Sequence, residues 1–283
     1  MIFDAHTHIH FPAYDKDRDE VIKRAQEAGV KMITVGTNLG TSKTAIEISE
    51  KYPDDIWAAV GFHPSHALPR RSLGGGGWFF DKNELREPIH EAFHIDNLKE
   101  IAGHPKVVAI GECGLDYYRI NKIADYELQT KENQKKVFLE QIKLAQELQK
   151  PLMIHCRPSK NSDNAYEDLI SLIKSFNLSK VIHFYVGSLN ITKELLKLGC
   201  SFTFGGVITF VRDYDEVIKF LPIENILLET DAPYVSPEPY RGQRNEPSYI
   251  VEVAKKIAAL KNISVGEVIQ KTTENAKRIF QIN

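Results

Sequence analysis

TKENQKKVFLEQIKLAQELQKPLMIH, residues 130 to 155, is the stretch whose reading decides the fold. Up to Gln149 its apolar residues Val137, Ile142, Leu144, Ala145 and Leu148 form one stripe against lysines and glutamates, as in a helix that buries one face. Pro151 cannot continue a helix and stops it. Leu152 to His155 then reads as a short apolar strand. Working outward, the same alternation fills the chain. Strands are expected at Ile2 to His6, Lys31 to Gly36, Ile56 to Phe62, Val107 to Glu112, Leu152 to His155, Val181 to Phe184, Ser201 to Phe204 and Ile226 to Glu229. Helices are expected between them, as at Asp17 to Ala28 and Asp163 to Phe176. Eight βα units in 283 residues predict an α/β fold, a single (β/α)8 TIM barrel with the whole chain as one domain.

Composition narrows the function. A net charge of -2 with no long Lys/Arg block excludes a polybasic nucleic-acid binder, so any nucleic-acid affinity must be built locally at a site. Three cysteines without CxxC spacing suggest neither a disulfide framework nor a thiolate zinc site, and fit a reducing cytoplasm. The start Met-Ile-Phe-Asp-Ala-His lacks the basic and apolar regions of a signal peptide. No segment approaches the roughly 20 apolar residues of a membrane span. A cytoplasmic monomer without membrane contact is the expectation.

One stretch breaks the rhythm. Near residues 66–83, two arginines (Arg70, Arg71) precede four glycines and then Trp78, Phe79 and Phe80. Four glycines hold no fixed shape unaided. The segment reads either as a mobile loop on the face where barrels keep their active sites, or as a surface loop whose aromatics cap the next helix.

Strict alternation along the first strand puts Asp4, His6 and His8 on one face and Phe3, Ala5 and Thr7 on the other. Alone, His-x-His is only suggestive. But Glu112, His155, His183 and Asp231 stand at the C-terminal ends of four more expected strands, and in a closed barrel those ends ring one mouth. Six N and O donors at one rim suit two divalent cations, Mg, Mn or Zn, with Glu112 able to bridge through two oxygens. Two such cations outweigh two carboxylates while the imidazoles bind neutral, so the mouth is net positive and attracts phosphate. Arg157, Arg241 and Arg244 are candidates to touch phosphate oxygens, or are solvated loop arginines. Cys113 and Cys156 each follow an expected donor, point the other way, and read as buried thiols.

His90-Glu91-Ala92-Phe93-His94 also matches the His-Glu-x-x-His zinc-protease pattern, which needs both histidines one helical turn apart. It falls in the long connection before strand four, outside the expected barrel.

Several motifs together resemble the TatD-like DNase family, a branch of the metal-dependent amidohydrolase barrels. They are Asp4-Ala5-His6-Thr7-His8, Gly61-Phe62-His63-Pro64, Ala109 to Tyr117, Ile154-His155-Cys156-Arg157, Phe204-Gly205-Gly206, Leu228 to Tyr234, Arg241 to Pro247 and Thr273-Glu274-Asn275-Ala276. The resemblance implies that His6 and His8 hold one metal with Glu112 and Asp231, and that His155 and His183 complete a second with Glu112 shared. It implies hydrolysis of DNA phosphodiesters, often from the 3' end, with His63 facing the substrate. Glu112 stands where amidohydrolase relatives often carry a carboxylated lysine. Two departures bear on the substrate: Val186 replaces a serine usual after strand six, and the loop from Pro64 to Asn83 is longer than usual. In this reading Asp231 accepts the proton of the attacking water, and Tyr117, Tyr118, Tyr234 or Trp78 stack on unpaired bases at single-stranded or frayed 3' ends. The alternative is a metal-dependent hydrolase of amide or ester bonds, such as aminoacyl-tRNA deacylation.

Overall fold

β-Branched and aliphatic residues dominate the short strands of the chain, and each strand is followed by a crossover that returns the backbone to the same edge. This gives parallel neighbours. The computed structural model describes residues 1–67, 81–84, 92–120 and 127–282. In order it contains β1 (Ile2–Thr7), α1 (Arg18–Glu27), β2 (Val30–Val35), α2 (Leu39–Lys51), β3 (Ile56–Val60), α3 (Ile95–Ala102), β4 (Val107–Asp116), α4 (Glu127–Glu147) and β5 (Leu152–Arg157). It continues with α5 (Asn164–Ile173), β6 (Lys180–Ile182), α6 (Leu189–Lys197), β7 (Cys200–Phe204), α7 (Asp215–Phe220), β8 (Ile226–Leu228), α8 (Ile250–Lys261) and α9 (Val265–Phe280). The strands pair in sequence order, all parallel, as a TIM barrel. No helix among the described residues is long and apolar enough to cross a membrane.

The seam between β8 and β1 is closed partly by side chains. Asp231 N–H donates to the His6 carbonyl at 2.9 Å and His8 N–H to that of Ala232 at 2.8 Å. Below them the buried Asp4 carboxylate accepts from Thr230 N–H at 2.9 Å and from the Thr230 hydroxyl at 2.5 Å. Burial pushes this carboxyl well above the usual range, against the pull of the Thr230 bonds.

Phe3, Ala5, Ile33, Val35, Ala59, Ala109, Met153, Val181 and Leu227 fill the barrel interior. A larger shell, with Ile2, Met32, Ile110, Cys113, Ile154, Cys156 and Phe202 among its members, packs the barrel against the helices. Helix α9 inserts Ala276, Ile279 and Phe280 against the interior cluster. Its Asn275 donates to the carbonyls of Ile223 and Ile226, at the start of β8.

The expected face of Asp4 is corrected here. The β1–β2 register shifts between Asp4 and Thr7, so one extra residue interrupts the alternation. Phe3 and Ala5, expected on the face opposite the histidines, lie in the interior, and Asp4 turns to the seam, not to the site. A similar irregularity on β4, between Ile110 and Cys113, contains Glu112. Close packing supports it: a Cβ on Gly61 would come within 2.5 Å of the Gly111 carbonyl carbon. Residues 68–80, with the glycine run and Trp78, lie outside the described residues, as do His90 and Glu91.

Candidate metal centre

The C-terminal ends of the strands bring all six expected donors together. His6 and His8, from β1 and the turn beyond it, point Nε2 at Nε2 across 3.2 Å. Asp231, just past β8, places Oδ1 3.4 Å from His8 Nε2 and 3.8 Å from His6 Nε2. Glu112 on β4 lies between the two halves. Its Oε2 is 3.7 Å from His6 Nε2 and 3.8 Å from His8 Nε2, while Oε1 meets His183 Nε2 at 2.8 Å and His155 Nδ1 at 3.0 Å. His155 Nδ1 and His183 Nε2 are 3.2 Å apart.

Fixed tautomers make this arrangement chemically specific. His8 Nδ1 lies 2.7 Å from the Val35 carbonyl, which only accepts, so Nδ1 carries the proton and Nε2 offers a lone pair. His155 Nε2 donates to Asp116 Oδ2 at 3.2 Å, leaving Nδ1 as an acceptor aimed at Glu112. Lone pairs therefore face lone pairs in both halves, which is unfavourable unless positive charge lies between them. Burial opposes charging His8 and His183, yet Asp231 and Glu112 raise the first, and Glu112 and Glu229 raise the second well above the usual range. Burial also opposes ionising Glu112, but the His63 and His183 imidazoles outweigh it and hold the carboxylate well below its usual range. The donor set fits divalent cations: His6, His8 and Asp231 form one convergent triad, and His6, Glu112 and His183 another.

His63 differs from the six. Its Nδ1 accepts the Ser65 N–H at 3.1 Å, so in the neutral ring the proton sits on Nε2, 3.2 Å from Glu112 Oε1. Burial lowers its pKa to about 4. It is a hydrogen-bond donor at the wall of the centre.

The family model described as TatD related DNase matches residues 3–281. The chain belongs to the TatD-related DNase family. Over all of both chains it is 38% identical to the uncharacterized metal-dependent hydrolase YabD of Bacillus subtilis. It is 32% identical to the 3'-5' ssDNA/RNA exonuclease TatD of Erwinia tasmaniensis, covering 99% of this chain and 100% of that one. Among solved structures, the TatD homolog YjjV of Escherichia coli K12 superposes with a TM-score of 0.79 at 27% identity, covering 100% of this chain and 98% of that one. The TatD-related chains are hydrolases, and this chain is an enzyme of that class.

In this TatD-related chain the cluster floors a cavity of about 360 Å³ lined also by Phe11, Thr37, Ser65, Asp81, Glu84, Arg119, Arg157, Val186, Tyr214 and Tyr234. Of the candidate arginines, Arg157 lines it, its guanidinium 4.0 Å over the exposed Tyr118 ring and paired with no acid among the described residues. Arg241 lies outside the lining, 3.7 Å over Phe210. Arg244 is engaged elsewhere, paired with Asp17 at 2.6 Å and donating to the Ala13 carbonyl. Tyr117, expected to stack on bases, is instead buried, with its hydroxyl on Asp168 at 2.7 Å. Of the His-Glu-x-x-His pattern, His90 and Glu91 lie outside the described residues, while Ala92 to His94 are not helical and α3 begins at Ile95. Cys113 and Cys156 are buried and unpaired by disulfides, and burial pushes both thiols well up.

Sequence reasoning missed Asp116 and Glu229. Burial opposes ionisation of Asp116, but its bond from His155 prevails and lowers its pKa to about 2. It shares the period-two face of Glu112 and Gly114 on a β4 longer than expected, a signal that was available. Glu229 is fully buried and accepts from Phe184 N–H at 2.8 Å and from the Thr203 hydroxyl, fixing the turn that carries His183. α4 contributes two buried glutamines. Gln141 satisfies the Phe62 N–H and carbonyl beside His63, and Gln134 satisfies those of Asp116.

Proposed function

We propose that the chain is a metal-dependent deoxyribonuclease that trims single-stranded or frayed DNA from its 3' end, hydrolysing phosphodiesters at a centre for two divalent cations. His6, His8 and Asp231 would hold one cation and His155 and His183 the other, with Glu112 shared. The observation that carries this reading is the convergence of six N and O donor side chains, with the His8 and His155 lone pairs aimed at Asp231 and Glu112, beside an arginine-lined wall. Bound there, divalent cations would lower the pKa of water and neutralise charge on phosphate oxygens. Asp231, with a side chain 15% exposed where that of Glu112 is 5%, faces the cavity and takes the proton of the attacking water. His63 Nε2–H and Arg157 bind phosphate oxygens and orient the scissile bond. The centre is built from one chain, residues 1–283 acting as one domain, so a monomer suffices.

The test is a 5'-labelled single strand incubated with protein stripped by chelator and then given Mg, Mn or Zn singly. Shortening from the 3' end that chelation abolishes and a metal restores is the expected result. Undiminished cleavage in excess chelator, or none with any metal while an acylated tRNA is deacylated, would overturn the reading.

A further inference from the structure

The cavity over the metal centre is electrically lopsided. Arg119 and Arg157, from the segments that follow β4 and β5, form one wall. Across from them Asp81 and Glu84, in the part of the long β3–α3 connection that the structure describes, line the other with Phe11 and Tyr234. Both carboxylates are held in place. Asp81 accepts the Tyr234 hydroxyl at 2.9 Å and the Asn83 N–H at 2.8 Å. Glu84 accepts from His66 Nε2 at 2.8 Å and from the Thr37 hydroxyl. Carboxylates repel the phosphates of a polyanion, so this wall suits a part of the substrate that carries none.

We propose that the Asp81–Glu84 wall is a subsite for the terminal nucleoside of a strand ending in a free 3'-hydroxyl, and that its two carboxylates exclude a strand ending in a 3'-phosphate. The inference rests on the nuclease reading above and deepens it. With the scissile phosphate over the metal centre, the phosphate-rich remainder of the strand lies along the arginine wall, where opposite charges attract. The terminal nucleoside then falls on the acidic side. There a hydroxyl donates to a carboxylate, whereas a terminal phosphate meets two like charges in a partly desolvated site. Phe11, stacked on His8 with centroids 4.3 Å apart, and Tyr234 supply ring surfaces for the base. A cavity of about 360 Å³ sits low in the range of roughly 300–1,000 Å³ for small-ligand sites, a size suited to one nucleotide-sized unit.

The experiment compares otherwise identical single strands ending in a 3'-hydroxyl or a 3'-phosphate, using full-length protein with the metal that supports cleavage. The same pair is titrated by fluorescence anisotropy on chelated protein, a readout independent of turnover. Wild type should cleave and bind the phosphate-ended strand about tenfold less well. Asp81→Asn and Glu84→Gln should each bring the ratio of the two ends toward one, and added salt should do the same. Glu84 is nearly buried and its variant is open to misfolding; Asp81→Asn, at a less buried position, keeps the test independent of that. Equal handling of both ends by wild type, or a ratio that neither variant moves, would overturn the subsite alone. Failure to cleave either end with any metal would instead remove the nuclease reading beneath it.

Discussion

At the two ends of the barrel, buried polar groups are managed in opposite ways. Around the N-terminal ends of the strands, long side chains bring donors to acceptors. Lys150 Nζ donates to the carbonyls of Ala102 and Val107, Lys180 Nζ to those of Leu178 and Leu198, and Lys261 Nζ to those of Lys219 and Leu221. Burial lowers all three ammonium pKa values, and the carbonyls left over at helix ends are satisfied. Around the C-terminal ends, the His8 and His155 lone pairs face the Asp231 and Glu112 carboxylates, with His6 and His183 beside them. The first end spends its polar groups on stability. The second leaves lone pairs of nitrogen and carboxylate opposed, an arrangement that suits a cation-binding centre.

Removing one acceptor from the active end should give the largest effect. Asp231→Asn is expected to lower kcat on single-stranded DNA by about a thousandfold or more, while its melting temperature in chelator stays at or above that of wild type. Near-normal turnover in this variant would break the contrast. The opposite end should respond in the opposite sense. Lys150→Met leaves two carbonyls without a donor and should cost about 1–3 kcal/mol of stability, read by urea denaturation, with kcat unchanged. A loss of turnover in a fully folded Lys150→Met protein would show that the two ends are not separable.

The smallest expected effect sharpens the boundary. Glu84 stands at the active end but has its own donors, and burial, which alone would raise its pKa, is outweighed by the bond from His66, so the pKa lies below its usual 4.5. The folded state then holds fewer protons on this group than the unfolded one, and its contribution rises with pH. The stability difference between wild type and Glu84→Gln should be full above about pH 4.5 and fade as the pH falls through the lower folded value. Thermal melts between pH 3 and 7 measure it. A difference that grows on acidification would place Glu84 with the unsatisfied cluster.

The eight strands, and the six polar side chains that the fold gathers at one mouth, were legible because both obey local rules: apolar runs bounded by breakers, and polar residues recurring at strand ends. What was not legible came from departures from period two and from contacts distant in sequence. The extra residue in β1 cannot be seen in Asp4-Ala5-His6-Thr7-His8, since nothing in those side chains says that the ladder skips a step there. Gln134 and Gln141 look like solvent-facing positions in a Lys/Glu-rich helix until the backbone of Phe62 and Asp116 is seen beneath them. The acidic wall depends on where the Asp81–Glu84 segment is laid, which Thr37, His66 and Tyr234 determine from far along the chain.

The β1–β8 seam has a consequence for timing. His6 and His8 leave the ribosome more than two hundred residues before Asp231, which must arrive before the strands that flank the seam can meet and Thr230 can reach Asp4. A nascent or prematurely ended polypeptide thus carries most of the centre's histidines and none of its assembled geometry. Hydrolytic competence is withheld until the final strand is in place.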